Sequence, residues 1–144
     1  MTEAATIAKL LGGTRTLKHR VAGDEDLLRI VRAGIPARVI SELASNSASA
    51  ILPLLSAIGM SPRTYDRRAA ANESLKPIEA NSVLRVARAV AFAKKALGDE
   101  GGIEWLHEKN RALNLRRPID LLDTEIGTRL VEQVLGRIEH GVFS

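Results

Sequence analysis

Apolar residues recur at helical rather than strand-like spacing along most of this 144-residue chain. Ile51, Leu54, Leu55 and Ile58 follow the i, i+3, i+4, i+7 pattern of one helix face. No stretch of useful length alternates apolar and polar residues as a half-buried strand does. Aromatic residues make up only 3%, so a core must be built from Leu, Ile, Val and Ala, and Leu and Ala favour helices. We therefore predict an all-α fold.

The composition argues against several other classes of protein. The sequence contains no cysteine, which excludes disulfides and thiolate metal sites and is typical of a reducing cytoplasm. No run approaches the roughly 20 apolar residues of a membrane span, and no signal peptide is apparent. The formal net charge of +4 permits nucleic-acid binding without requiring it. We expect a cytoplasmic globular protein with no membrane segment.

A helix, a glycine turn and a second helix are predicted between residues 47 and 72. Gly59 tolerates the left-handed conformation that ends a helix, Ser61 is a good N-cap, and Pro62 suits the first helical position. Pro53 has no backbone donor, so the first helix either starts late or kinks there. This order of elements is the helix-turn-helix arrangement, whose second helix enters the DNA major groove.

Composition and breakers divide the chain into three predicted parts. Residues 1–23 are poorly patterned and favour a mobile, solvated tail, with a DNA-backbone arm as the alternative. The tail contains a small basic cluster: Arg15, Lys18, His19 and Arg20. Residues 24–75 hold the helix-turn-helix, which ends at a breaker over residues 74–77. Residues 76–144 form a second helical domain that begins with a long helix.

The last predicted helix runs from a cap at Asp123 or Thr124 to His140. Its apolar stripe has Gly127 at the centre, where the missing side chain lets another helix come close. That stripe contains Ile126, Leu130, Val131, Val134, Leu135 and Ile138. The opposite side is polar and includes Gly136. A glycine in an exposed helical face costs about 1 kcal/mol relative to Ala. Either a partner approaches there or the glycine is tolerated near a frayed end.

Three motifs in the last third of the chain carry a resemblance to a known family. They are WLHEKNRAL at residues 105–113, RPIDLLDTE at residues 117–125 and RIEHGVFS at residues 137–144. Together they resemble the toxin-binding domain of the Xre/MbcA/ParS antitoxin family, and the match extends over roughly residues 25–144. Two positions depart from the family pattern. Lys109 stands where Pro is frequent and Leu115 where Gly is common, which leaves the conformation of this loop open.

The resemblance implies an Xre-like helix-turn-helix module followed by a helical toxin-binding domain. It implies an antitoxin of a type II toxin–antitoxin system that neutralises a RES-type toxin, an enzyme that consumes NAD, by covering its active site. It also implies repression of the chain's own operon through operator DNA, and a homodimer within a hetero-oligomeric complex.

The resemblance also assigns roles to individual residues. The predicted recognition helix contains the expected DNA-binding residues Ser61, Arg63, Thr64, Arg67 and Arg68. The last two motifs contain the expected toxin-binding residues Glu125, Arg137, Glu139, His140, Phe143 and Ser144. Arg129 and Gly136 join the toxin-binding set because they lie on the polar side of the last helix. The tail at Val142 and Phe143 either folds back on its own domain or enters a partner, and the residues alone leave both open.

The sequence offers little support for catalysis. Three histidines are present, and the Glu104–His107 pair has the E-x-x-H spacing of helical metal sites only once, without a matching carboxylate motif elsewhere. No glycine-rich phosphate loop and no paired carboxylates are apparent. We predict no enzymatic activity, no metal site and no cofactor. The alternatives to an antitoxin are a stand-alone helix-turn-helix transcription regulator and a helical adaptor without a toxin partner.

Overall fold

The computed structural model describes residues 1–141, and this part of the chain contains helices and no sheet. The all-α prediction is confirmed. The helices are α1 Glu3–Leu10, α2 Gly13–Leu17, α3 Asp24–Ala33, α4 Val39–Asn46, α5 Ile51–Ile58, α6 Pro62–Ala70, α7 Pro77–Leu97, α8 Asp99–His107 and α9 Glu125–Glu139. Two short 3-10 turns, Arg111–Leu113 and Pro118–Leu121, precede α9. Over the same residues, the helices are all too short or too polar to cross a membrane.

The long helix α7 lies at the centre of the core. Val83, Val86 and Val90 on this helix are buried, and α1, α8 and α9 all pack against it. The buried side chains from α1 through α9 form one continuous cluster. The predicted boundary between residues 75 and 76 is not marked by a gap in this core. The division into 24–75 and 76–144 stays a prediction.

The N-terminal segment is part of the core. Ile7, Leu10, Leu11 and Leu17 are buried, and Thr2 caps α1 by accepting a hydrogen bond from the backbone of Ala5. The prediction of a solvated tail over residues 1–23 is therefore wrong for α1 and α2. Short helices with few apolar residues give a weak periodic signal, and only packing against α7 reveals which of their side chains are covered.

The two helices around Gly59 form as predicted. Gly59 adopts a left-handed conformation with φ +83°, and the Ser61 hydroxyl accepts a hydrogen bond of 3.1 Å from the backbone of Thr64. Pro53 lies in the first turn of α5. Backbone N–H groups in the first turn have no acceptor within the helix, so a proline there costs no hydrogen bond. The helix therefore starts late instead of kinking. This geometry is compatible with a helix-turn-helix module.

The loop between α3 and α4 is joined to a distant part of the chain. Pro36 lies before the start of α4 at Val39 and forms an isolated bridge with Ser74. The backbone of Ala37 donates to the carbonyl of Glu73 at 2.9 Å. These bonds join the loop before α4 to the loop before α7.

Candidate functional site

The helix α9 is held in place along its buried side. Thr124 caps it by accepting a hydrogen bond of 2.9 Å from the backbone of Gly127. A Cβ atom at Gly127 would lie 2.0 Å from the carbonyl oxygen of Leu121, so only glycine fits there. The prediction that Gly127 lies at a packing seam is confirmed. The neighbour is the 3-10 turn Pro118–Leu121 rather than another helix.

Two residues of the predicted apolar stripe of α9 face outward. Ile126 is 68% exposed and Leu130 is 40% exposed, whereas Val131 and Leu135 are fully buried. The sequence predicts that the six residues of the stripe share one side of the helix, and these two remain exposed on its flank. The stripe is wider than the surface that α7 and the 3-10 turn can cover, so one flank of it remains exposed.

An outward surface of mixed chemistry results, which we call the outer face of α9. It consists of Ile126, Arg129, Leu130, Gln133, Gly136, Arg137 and His140. A shallow groove on this face is lined by Gln133, Gly136, Arg137 and His140. A Cβ atom added to Gly136 would meet nothing within 4 Å. The outer face therefore combines exposed apolar side chains, two arginines and a position without a side chain.

The acidic edge of α9 is tied to α7 by ion pairs. Arg88 makes a two-pronged contact with Glu132, at 3.0 and 3.2 Å, and lies 3.6 Å from Glu125. The hydrogen bonds that Arg88 donates to the Glu132 carboxylate raise the pKa of its guanidinium. Lys95 lies 3.7 Å from Glu139. Glu125 thus pairs with Arg88 of α7.

These ion pairs separate the predicted toxin-binding residues into groups. Arg129, Gly136, Arg137 and His140 lie together on the outer face, whereas Glu139 turns toward α7. Phe143 and Ser144 lie outside the described residues. Ile126 and Leu130 lie beside these residues but were not among the predicted toxin-binding residues. The available signal was the width of the apolar arc of α9, which exceeds what one neighbouring helix can cover.

In the loop before α9, the backbone is left-handed at Leu115, one of the two positions that depart from the family pattern. Leu115 has φ +62° and follows Asn114 at φ +58°, so both residues are left-handed. Glycine adopts this conformation without steric cost, which accounts for a glycine being common at this position. Asn110 holds the loop, since its backbone donates to Arg116 at 3.1 Å and its side chain accepts from Ala112 at 2.9 Å. Leu115 is 63% exposed.

The predicted DNA-binding residues of α6 are not all available to a ligand. Arg63 and Arg67 are exposed, and the hydroxyl of Ser61 donates to that of Thr64 at 2.9 Å. Arg68 is only 7% exposed and pairs with Glu79 at the start of α7. The prediction that Arg68 contacts DNA is wrong, because its guanidinium is turned inward and occupied by that carboxylate.

Of the Glu104–His107 pair, the histidine makes a contact that joins two helices. His107 Nε2 lies 2.8 Å from the carbonyl oxygen of Ser47 and so joins α8 to the end of α4. Among residues 1–141, no three potential metal-ligating side chains come together. Arg85 makes a similar connection, donating to the carbonyls of Leu122 at 3.1 Å and Asp123 at 3.2 Å.

The described part of the chain is thus an all-α protein in which α6 and α9 each have an exposed face. Residues 93–141 match the family model of the antitoxin Xre/MbcA/ParS C-terminal toxin-binding domain. This match includes all of α8 and α9.

Three relatives extend the similarity over most of the chain. An antitoxin Xre of Yersinia enterocolitica is 30% identical over 82% of this chain and 81% of its own length. An antitoxin Xre of Photorhabdus laumondii is 27% identical over 90% and 89%. A protein of a Sphingobium species named Prs ADP-ribosylating antitoxin is 24% identical over 85% and 84%. The chain belongs to the Xre/MbcA/ParS antitoxin family, whose members act in toxin–antitoxin systems with a cognate toxin as partner.

Proposed function

We propose that this antitoxin neutralises a RES-type, NAD-consuming toxin by docking the outer face of α9 and the adjoining tail over the toxin's active site. The observation that carries the proposal is the exposure of Ile126 and Leu130 beside Arg129 and Arg137, on a helix inside the matched toxin-binding domain. Protein interfaces combine such apolar and arginine contacts at their most important positions. The action is binding, without catalysis by the antitoxin itself.

The name of one relative supports the proposed class of toxin. The Sphingobium protein is called a Prs ADP-ribosylating antitoxin. ADP-ribosylation transfers the ADP-ribose part of NAD to an acceptor, so a toxin associated with that reaction consumes NAD. By extension to this chain, a toxin with an NAD-binding cleft is the expected partner.

The energetics favour the outer face of α9 as the centre of the interface. Complete burial of an apolar side chain of this size contributes roughly 1.5–3 kcal/mol of free energy. Because Ile126 and Leu130 are exposed in the free protein, part of this free energy can be gained when a partner covers them. Gly136 lies further along the same helix, after Leu130, and lets a partner's backbone approach the helix closely. Glu139 contributes indirectly, since its pairing with Lys95 holds the end of α9 against α7.

The experiment compares matched substitutions of exposed apolar residues. The double variant Ile126→Ser/Leu130→Ser is expected to weaken binding to the toxin encoded beside this chain by at least about tenfold, which is about 1.4 kcal/mol. The control Leu52→Ser/Ile78→Ser removes exposed apolar side chains from α5 and α7 and should leave affinity unchanged. Equal affinities for the two variants, measured by calorimetry and by rescue of toxin-expressing cells, would exclude this face.

The contribution of the tail is tested separately. Removing residues 142–144 deletes the predicted anchor Phe143 and the predicted contact Ser144 without touching α9. We expect this deletion to reduce rescue of toxin-expressing cells. Undiminished rescue would restrict the inhibitory element to the outer face of α9.

A second activity, operator binding by a homodimer through α6, is favoured by the exposure of Arg63 and Arg67. Arginine contacts to phosphate make the affinity for DNA depend on salt concentration. Each phosphate contact contributes about 0.9 to the slope of log affinity against log salt. Arg67→Gln should reduce the slope by about that amount. Arg111→Gln, an exposed charge on a 3-10 turn, serves as the control.

A stand-alone regulator or a helical adaptor without a toxin partner is the competing interpretation. The neighbouring reading frame distinguishes it from the antitoxin. An adjacent gene for a toxin whose product copurifies with this chain supports the antitoxin, and an unrelated metabolic operon supports the alternative.

A further inference from the structure

The guanidinium of Arg38 joins two segments that are distant in sequence. Its Nη1 atom donates to the side-chain oxygen of Asn72, just after α6, at 3.3 Å. Its Nη2 atom lies 3.5 Å from the carbonyl oxygen of Thr16 in α2. The end of the predicted recognition helix and the end of α2 therefore lie on either side of one side chain. Arg38 itself precedes α4 and is half-buried, so this junction is part of the fold.

The junction brings the segment that contains the N-terminal basic cluster near the C-terminal end of α6. Thr16 and Leu17 are buried and anchor α2. The basic residues around them are exposed, and Lys18 adopts a left-handed conformation with φ +63°. These exposed residues are Arg15, Lys18, His19 and Arg20. The cluster is therefore held at a defined place on the surface instead of lying on a tail.

Positive charge predominates in the segments that meet at this junction. Six cations lie within residues 13–20, 38–46 and 61–73 when the buried Arg68 is left out: Arg15, Lys18, Arg20, Arg38, Arg63 and Arg67. Three acids lie in the same segments: Glu42, Asp66 and Glu73. The excess is greatest at residues 15–20, where no acid occurs. A cationic surface beside a helix that reads DNA suits the phosphate backbone flanking the site.

We propose that Arg15, Lys18 and Arg20 form a phosphate-binding surface for duplex DNA, adjacent to the backbone contacts of α6. This surface positions the protein along the duplex without reading its sequence. The inference rests on the proposed DNA binding by α6 and adds a second set of contacts from another part of the chain. We therefore expect the protein to cover a longer stretch of DNA than α5 and α6 alone would cover.

The test measures the salt dependence of DNA binding by the full chain. The probes are a fluorescent duplex from the region upstream of the chain's own gene and an unrelated duplex of equal length. The test variant is Lys18→Gln/Arg20→Gln. The control variant, Lys109→Gln/Arg111→Gln, also removes two positive charges from exposed positions, but in the C-terminal third of the chain. Circular dichroism establishes that both variants keep the helical content of the wild type.

The expected result is a selective loss of salt dependence in the test variant. The slope of log affinity against log salt should become shallower by roughly 1–2, because each phosphate contact contributes about 0.9. Both duplexes should show this change, and rescue from the toxin should be unaltered. A slope equal to that of the control variant overturns the surface at residues 15–20, while the effect of Arg67→Gln still supports α6. Absence of wild-type binding to either duplex overturns DNA binding as a whole.

Discussion

At the scale of single residues, the two glycines of α9 experience opposite surroundings. Gly127 faces the carbonyl of Leu121 at a distance that excludes a Cβ atom, and Gly136 faces open space. Helix propensity alone predicts that Ala at either position stabilises the protein by about 1 kcal/mol. Close contact with a backbone carbonyl reverses that sign at Gly127, because no side-chain rotation relieves it.

Alanine substitutions at Gly127 and Gly136 should therefore change the stability of the protein in opposite directions. Gly127→Ala is expected to lower the free energy of unfolding by about 1–3 kcal/mol, the usual cost of overpacking. Gly136→Ala should raise it by roughly 0.5–1 kcal/mol. Urea unfolding followed by circular dichroism measures both. Changes of the same sign in the two variants would contradict the packing of α9 against the 3-10 turn.

Arg68 illustrates how an arginine on a predicted recognition helix can serve the fold. Its partner Glu79 also accepts a hydrogen bond of 2.7 Å from the backbone of Lys76, so one carboxylate both caps α7 and holds α6. Arg68→Ala leaves that carboxylate without its cation and should cost about 3 kcal/mol of stability. Arg67→Ala, at the neighbouring exposed position, should change stability by less than about 0.5 kcal/mol. Thermal denaturation distinguishes the two, and equal stability of the variants would contradict the buried pair.

At the scale of elements, α1 is the helix whose role differs most from expectation. Leu11 at its end is fully buried and belongs to the same core cluster as α7. Leu11→Ala is expected to lower the free energy of unfolding by about 2–4 kcal/mol. Arg15→Ala, four residues later and exposed, is the matched control and should be nearly neutral. A solvated tail would make both substitutions neutral in equilibrium unfolding measurements.

Some helix ends can be predicted from the neighbouring residues in the sequence alone. Gly59, Ser61 and Thr124 delimit α5, α6 and α9 through hydrogen bonds within a few residues, and these limits were predictable. Pro36 and Arg68 act through partners 38 and 11 residues away, Ser74 and Glu79. Their positions depend on which segments meet in space. Caps are local interactions, whereas burial depends on every neighbour.

At the scale of the whole molecule, the continuous core predicts cooperative unfolding. Trp105 is the single tryptophan and lies in α8, inside the matched toxin-binding domain, whereas circular dichroism reports all helices. Because α1, α3 and α5 all contact α7, we expect the two signals to change at the same denaturant concentration. Two separate transitions would instead support independent domains divided near residue 75.

Binding to the toxin should raise this stability by mass action. A ligand that binds only the folded antitoxin at about 100 times its Kd adds about 2.7 kcal/mol. The melting temperature of the complex should therefore rise with toxin concentration. The variant Ile126→Ser/Leu130→Ser should lose most of this increase while its own melting temperature stays close to that of the wild type, because both side chains are exposed in the free protein. An undiminished increase would place the interface elsewhere.

By itself, the sequence determined the helical class, the helix ends with local caps, and the family, because these depend on residues near one another in the chain. Tertiary structure alone decided that α1 belongs to the core, that Arg68 is turned toward Glu79, and that Ile126 and Leu130 remain outside. Helical periodicity shows which side chains share a face but not how far a neighbouring element covers it. Ile126 and Leu130, the apolar part of the outer face of α9, are the flank of the apolar arc that α7 and the 3-10 turn leave exposed.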